Sequence, residues 1–352
     1  MRSIGMDIHA KQTYFHILDE AGRKLEQGKI ATTETALTEV IHRHRDSGVQ
    51  VAIEASTSTW WIQEVLQKAG ARVEVTNPYK LKLIAESRSK TDKADAQILA
   101  ELLRCGGLPT PVYVPSAAIR QLRQRLSLRR RLVRIRTQLI CSAKAHLRGQ
   151  GLKTTAQDFH RLQSWKALQE ARSSCTWHLS RLVGTFEQIE TSLRFIEREL
   201  QQQWGQHADI KRLRTIPGVG PITAYTIVAS LGEVRRFAAS KQVAAYAGIV
   251  PSERSSGEVV VRGRITHEGR SELRGALIQA AWGSLRCRRD NALALKRFYY
   301  RLMHKRGSQI AIVALGHKLL TIAYQLLKAQ TEFDETRLQK ETKTECRVAV
   351  NQ

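Results

Sequence analysis

Residues 3–30, SIGMDIHAKQTYFHILDEAGRKLEQGKI, decide the fold. Ser3–His9 is a short apolar run that delivers Asp7 at its end. Gln12–Leu18 alternates and is rich in β-formers. Glu20-Ala21-Gly22-Arg23 supplies a turn into a third strand near Lys24–Ile30. Working outward, Thr33–His44 puts Leu37, Val40 and Ile41 on one side of a helix, and Val49–Glu54 (VQVAIE) is another buried-type strand. Trp60–Ala69 reads as a helix and Ala71–Val75 as a strand leading to Asn77-Pro78. Three antiparallel strands followed by alternating helix and strand predict an α/β sheet. Functional groups collect at strand ends in such sheets, and Asp7 and Glu54 both end apolar strands.

A second stretch, Ser89–Ala100 (SKTDKADAQILA), adds two more acids. Thr91 can cap a helix that continues through Ala94, Ile98, Leu99 and Leu102. Residues three apart share a helix face, so Asp92 and Asp95 point at one region of space. Two crowded carboxylates repel unless a cation lies between them, and a hard divalent ion such as Mg²⁺ is the usual partner. Alone, the pair is equally the solvated start of a capped helix flanked by Lys90 and Lys93. Together with Asp7 and Glu54 it makes a four-carboxylate set suited to two metal ions and in-line phosphoryl transfer.

The chain has 352 residues, a formal net charge of +25 and a pI near 10.3. Counted by block, residues 1–115 hold 15 Lys/Arg against 14 Asp/Glu, residues 116–150 hold 10 against none, and residues 206–330 hold 21 against 7. The acids therefore lie in a balanced N-terminal block and the polyanion-binding charge in two later ones, as expected of an enzyme that holds nucleic acid with one part and acts on it with another. No secretory leader and no apolar run of membrane-spanning length are expected. Five scattered cysteines (Cys105, Cys141, Cys175, Cys287, Cys346) form no C-x-x-C pair, which argues against a disulfide framework or a zinc site and fits a reducing cytoplasm.

Ala117–Leu147 lacks Pro and Gly, with Leu122, Leu126, Leu132, Leu139 and Ile140 on one side and arginines on the other. Arg129, Arg130, Arg131, Arg134 and Arg136 would repel one another unless an outside polyanion neutralised them. A break at Gly149-Gln150-Gly151 and a second helical run, Trp177–Trp204, suggest a helical hairpin or coiled-coil arm able to dimerise or bind nucleic acid. In Arg212–Gly232 (RLRTIPGVGPITAYTIVASLG) two apolar helices flank Pro217-Gly218-Val219-Gly220, the pattern of a helix-hairpin-helix. Gly218 and Gly220 would let a phosphate approach the backbone at the second helix's N-terminus. Phe237–Val250 is a small-residue helix, Val259–Thr266 follows, then the helix Gly275–Arg286. Between them, Ser255-Ser256-Gly257 has ordinary turn composition, set among Arg254, Arg262, Arg264, Arg270 and Arg274, with no obvious local base and His267 as a candidate. Ser308–Leu327 closes this block, and a polar tail begins at Thr331.

The fragments MDIHAKQTYFHILD, AIEAS and SKTDKADAQILAELL resemble the RuvC-like DEDD domain of the insertion-sequence 110 family of transposases, including its 1111 branch. PGVG, AYAGIVPSERSSG and RGRITHEGRSELR resemble the C-terminal domain of the same family. The resemblance implies a ribonuclease-H-like fold for residues 1–115, with Asp7, Glu54, Asp92 and Asp95 as metal-binding catalytic acids for Mg²⁺ or Mn²⁺. Residues 116–205 would be the basic helical arm, 206–330 the serine-bearing transposase domain with its helix-hairpin-helix, and 331–352 the tail. The family's nucleophile falls on Ser256, with Ser255 as the competing neighbour. Transposition through a phosphoserine–DNA intermediate is further implied, with double-stranded DNA and a bridging non-coding RNA as partners and active sites shared in an oligomer. The rivals are a RuvC-like nuclease that uses water and a non-catalytic nucleic-acid-binding protein.

Overall fold

A computed structural model describes residues 1–84, 92–155, 159, 163–166, 176–256, 259–288 and 290–336. Thr91, Gly257 and most of the expected tail lie outside these residues. The chain divides into two compact units, Met1–Val114 and Pro115–Gln352.

In the first unit, β1 (Arg2–Ile8), β2 (Gln12–Leu18) and β3 (Lys24–Ala31) precede α1 (Glu34–His42), β4 (Val49–Glu54), α2 (Thr59–Lys68), β5 (Arg72–Thr76), α3 (Pro78–Ile84) and α4 (Asp92–Arg104). The sheet order is β3-β2-β1-β4-β5; β1, β2 and β3 pair antiparallel, whereas β1–β4 and β4–β5 pair parallel. The mixed sheet flanked by helices is the architecture expected from the pattern of strands.

Period-two alternation gives the sheet two unlike faces. Ile4 and Met6 of β1 and Val51 and Ile53 of β4 join Leu37, Val40 and Ile41 of α1 and Ile62, Val65 and Leu66 of α2 in one buried core. Thr33 fixes the start of α1, its hydroxyl accepting from the Ala36 amide at 3.3 Å. The other face carries Gly5, and Ala52 there packs with Leu99 and Leu103 of α4. Helix α4 lies unusually close to β1: a Cβ on Gly5 would overlap the carbonyl oxygen of Ala96, meet the Ala100 amide nitrogen at 2.5 Å and the Leu99 Cβ at 2.9 Å. Small residues at Ala96 and Ala100, one turn apart, complete the approach.

The second unit is almost entirely helical. It contains α5 (Ala117–Gly149), α6 (Thr176–Trp204), α7 (Ala208–Thr215), α8 (Pro221–Leu231), α9 (Ser240–Ala247), the strands β6 (Pro251–Ser256) and β7 (Val259–Ile265), α10 (Ser271–Arg286), α11 (Leu293–Arg306) and α12 (Ser308–Ala329). Ser116 caps α5. Helices α7–α12 share one core that includes Leu213, Tyr225, Leu277, Leu295 and Leu315. A second, smaller core holds Ala143 and Leu147 of α5 with Phe159, Trp165, Leu179 and Phe186.

Two expectations change here. Helix α12 is long and apolar enough to cross a membrane, contrary to the reading that no run reaches that length, yet 61% of its apolar window is buried inside this unit. It is a core helix, hydrophobic nearly all round because it is surrounded. The serine segment, read as a turn, is a strand: Ser255 pairs with Val260 and Ser256 with Val259. The run Val259-Val260-Val261 is a strong strand partner, and cross-strand pairing overrides the local turn preference of Ser-Ser-Gly.

The Gly5 contact gives opposite expectations for two chemically identical substitutions. Gly5→Ala should destabilise the first unit by about 1–3 kcal/mol, the cost of overpacking. Gly184→Ala, in α6 with no atom near its would-be Cβ, should stabilise by roughly 0.5–1 kcal/mol. Denaturant titrations of the two variants read both signs, and a neutral Gly5→Ala would refute the close packing of α4.

Candidate functional site

The Gly5 contact positions the acids. Gly5 and Asp7 lie two apart on β1 and so face the same side, toward α4. Asp92 and Asp95 occupy the first turn of that helix. In the β1–β4 register Met6 pairs with Ile53, so Asp7 and Glu54 are the next residues along two adjacent parallel strands. Glu54 shares the α4-facing side with Ala52.

The tightest group is Asp7, His9 and Asp92, whose ligand atoms all lie within 4.8 Å of one another. His9 Nε2 is 3.1 Å from Asp7 Oδ2 and 3.4 Å from Asp92 Oδ2. Asp7 is the most sheltered, with a side chain 15% exposed against 51% for His9 and 50% for Asp92. Burial pushes the Asp7 carboxyl above its ordinary value, His9 pulls it down, and Asp92 and Asp95 push it up again. Of the four expected acids, Asp7 and Asp92 thus meet directly. Asp95 lies near enough to act on Asp7 electrostatically, and Glu54 holds the neighbouring strand position.

His9 was missed in the sequence, although its spacing pointed to it: two residues beyond a strand-end acid is the next position on the same face. Two carboxylates and an imidazole make an oxygen-rich donor set with one nitrogen. That chemistry fits a divalent cation, and the nitrogen suits Mn²⁺ better than Mg²⁺.

The second unit answers the arginine question differently from its sequence. Helices α5 and α6 run antiparallel, and α6 supplies carboxylates along the seam: Arg125–Glu199 at 3.6 Å, Arg129–Glu197 at 2.7 Å and Arg136–Glu190 at 2.8 Å. Arg130 pairs with Glu272 of α10 at 2.8 Å. Burial would raise the Glu272 carboxyl, but its own backbone amide, Arg130 and Arg270 outweigh that and hold it low. The neutralising anions that α5 lacks in sequence therefore come from its own chain. Arg131 and Arg134 are exposed and meet no carboxylate among the described residues.

Gly218 also has an internal role. It has a positive φ of 85°, and a Cβ there would overlap the Ser284 amide nitrogen and the Ala280 carbonyl oxygen, while the Ser284 hydroxyl donates to the Pro217 carbonyl at 2.6 Å. Its bareness serves the seat of this turn against α10. Gly220 has nothing near its would-be Cβ and immediately precedes Pro221 at the start of α8.

Around the hairpin, Ser256 ends β6 at the backbone level; the side chains of Ser255, Ser256, Arg254 and Arg262 lie outside the described set. Arg264 is exposed and lines a cleft of about 1100 Å³ with His267, Phe298, His317 and Lys318. Arg274 is committed inward, donating to the Ala247 carbonyl at 3.0 Å and the Gly269 carbonyl at 3.4 Å. Arg270 precedes α10 and has a buried Nε with no hydrogen-bond partner among the described residues.

Residues 4–152 match a DEDD-type transposase family model of the IS110 group, and residues 210–298 match the model described as the transposase IS116/IS110/IS902 family. The chain is 31% identical over 290 residues to a probable family 20 transposase of Pseudomonas aeruginosa, covering 80% of this chain and 84% of that protein. It is 29% identical over 272 residues to the transposase for insertion sequence element IS1111A of Coxiella burnetii, covering 75% and 73%. It is 26% identical over 310 residues to a pilin gene-inverting protein of Moraxella bovis, covering 84% of each.

Crowding at Asp7 has a measurable sign. A carboxyl whose folded value is raised costs stability as pH rises from its ordinary value of 3.8 through the raised one, and the loss is complete above it. Asp7→Asn should therefore raise the melting temperature of metal-free protein at neutral pH. Mn²⁺ should raise the melting temperature of the wild type and leave Asp7→Asn unmoved. A variant that melts lower without metal, or responds to Mn²⁺ like the wild type, would contradict the crowded-carboxylate site.

Proposed function

The chain belongs to the IS116/IS110/IS902 family of transposases, and on that premise we propose that it cuts and rejoins DNA using a divalent-metal carboxylate site and Ser256 as nucleophile. The observation that carries this reading is the convergence of Asp7, His9 and Asp92 on the α4 face of the sheet. We read the first unit as ribonuclease-H-like, with Asp7, Glu54, Asp92 and Asp95 as ligands for Mg²⁺ or Mn²⁺ and His9 beside them. A metal bound there supplies charge stabilisation at the phosphoryl oxygens.

In the proposed step the Ser256 hydroxyl loses its proton and its Oγ bonds to phosphorus. The ester bond to the departing sugar oxygen breaks in line, and that oxygen takes up a proton. Rejoining is the reverse step with a different sugar hydroxyl. A strand end adjoining a glycine is a favourable perch for such a serine, since bulk is absent on one side of the hydroxyl. The arginines near the hairpin, Arg254, Arg262 and Arg264, would neutralise the phosphate, while Arg270 and Arg274 would brace the segment that follows.

Binding would be shared between an α5–α6 arm, read as coiled-coil-like, and the α7–α8 turn, read as a helix-hairpin-helix with Gly220 facing the phosphate. We further assign double-stranded DNA and a structured non-coding guide RNA as partners. A homo-oligomer would let the carboxylates of one copy serve the serine of another.

Two experiments test this. Ser256→Ala should abolish both cleavage and a covalent protein–DNA adduct while DNA binding persists; Ser255→Ala should keep the adduct, and Asp92→Asn should lose it. Cleavage by Ser256→Ala that leaves a free 5′-phosphate would make water the nucleophile. On α5, Arg131→Ala and Arg134→Ala should each lower the log–log salt slope of DNA binding by about 0.9. Arg129→Ala, already paired with Glu197, should change that slope little, and equal slopes for all three variants would refute the in-chain pairing.

A further inference from the structure

The positive charge that survives folding is concentrated where the sequence drew least attention. From Trp282 to Gly307 the chain carries eight Lys/Arg (Arg286, Arg288, Arg289, Lys296, Arg297, Arg301, Lys305, Arg306) and one acid, Asp290. Four arginines of α5 are answered by glutamates within 4.0 Å. By contrast, Arg286, Arg297, Arg301, Lys305 and Arg306 are all exposed and, among the described residues, none pairs with a carboxylate. Arg297, Arg301 and Lys305 recur every four residues of α11 and so form one stripe, with steps of about 6 Å along the helix axis. Tyr300, 49% exposed, adjoins that stripe.

The same surface displays aromatic rings. Trp282 of α10 is 38% exposed, on the side of the helix away from its buried Leu273, Leu277 and Ala281. Its ring lies 6.3 Å from Tyr299, and Tyr299 lies 5.3 Å from Tyr300. Tyr299 is buried at 4% and anchors an exposed ring on each side. Arg286 follows Trp282 by one helical turn, so cation and ring share a face. Exposed rings set among cations without carboxylate partners match a nucleic-acid strand with unpaired bases: phosphates take the charges and base faces take the rings. An acidic peptide would use the cations and leave the rings without a planar partner. A closed duplex would hide its base faces from them.

We propose that α10 and α11 form a contact for unpaired nucleic acid, in which Arg297, Arg301 and Lys305 hold successive phosphates and Trp282 and Tyr300 stack bases. This rests on the reading of the chain as a DNA-handling protein and adds to it a place where a strand is held open. The strand comes from DNA or from RNA, and the same chemistry serves both.

The test is fluorescence anisotropy on the full chain with labelled oligo(dT), oligo(U) and a duplex of equal length, each over a salt series. Replacing Arg297 and Arg301 together by Ala should lower the log–log salt slope for oligo(dT) by about 1.4. Trp282→Ala and Tyr300→Ala should each weaken oligo(dT) binding about 5- to 160-fold with the slope unchanged and duplex affinity within about twofold. Trp282→Phe should recover most of the loss, which a mere packing defect elsewhere would not predict. Tighter binding of oligo(U) than of oligo(dT) would assign the strand as RNA, the converse as DNA. Unchanged slope and affinity in the double arginine variant, with wild-type binding intact, would overturn this contact and leave the transposase reading standing. Equal losses on duplex and single strand in the ring variants would also overturn it. A wild type that binds none of the three probes would overturn both.

Discussion

The structure of the first unit turns on a contact in which a side chain is missing. Gly5 lets the backbone of α4 lie against the backbone of β1, with Ala96 and Ala100 bare on the facing side. That approach fixes the height of the helix start above the strand end, and so the distance from Asp92 to Asp7. The electrostatic crowding follows from it: without the close seat, two acids on separate elements would remain solvated and independent. Interior packing is intolerant of added volume, so a steric constraint in the core sets the charge chemistry of the site two residues away.

In the second unit the organising constraint is charge compensation. An arginine-rich helix as long as α5 is costly unless its charges are answered, and the answers come from both a neighbouring helix and a distant one, Glu190, Glu197 and Glu199 of α6 and Glu272 of α10. Each exposed pair contributes only about 0.2–1 kcal/mol, so their main effect is to remove repulsion. The consequence for recognition is that a count of arginines overstates the charge available to a ligand. Among the α5 arginines, Arg131 and Arg134 stay available, and the exposed side of α11 adds Arg297, Arg301 and Lys305.

Much of this was legible in the sequence because it rests on local periodicity. Apolar runs located β1 and β4, alternation located β2, and helical spacing located α1, α2, α5 and α12 within a residue or two at their starts. The i,i+3 spacing of Asp92 and Asp95 correctly put both in the first turn of one helix. The departures share a cause, which is that a partner on another element decides them. His9 matters only because α4 returns over β1. Ser256 is a strand residue because Val259 pairs with it. Gly218 is bare because Ser284 packs against it, and Arg129 is quenched by a residue 68 positions away. The apolar character of α12 was underestimated because a few polar residues interrupt a helix that the fold nevertheless surrounds.

The three pairs along the α5–α6 seam also act as a vernier. Arg125, Arg129 and Arg136 advance along one helix while Glu199, Glu197 and Glu190 recede along the other. Sliding one helix by a single turn, about 5.4 Å, would separate the partners of all three pairs at once. Bending or twisting the pair as a whole leaves each rung nearly unchanged. The hairpin is therefore stiff against shear and compliant in flexure, in the manner of a leaf spring clamped at several points along its length.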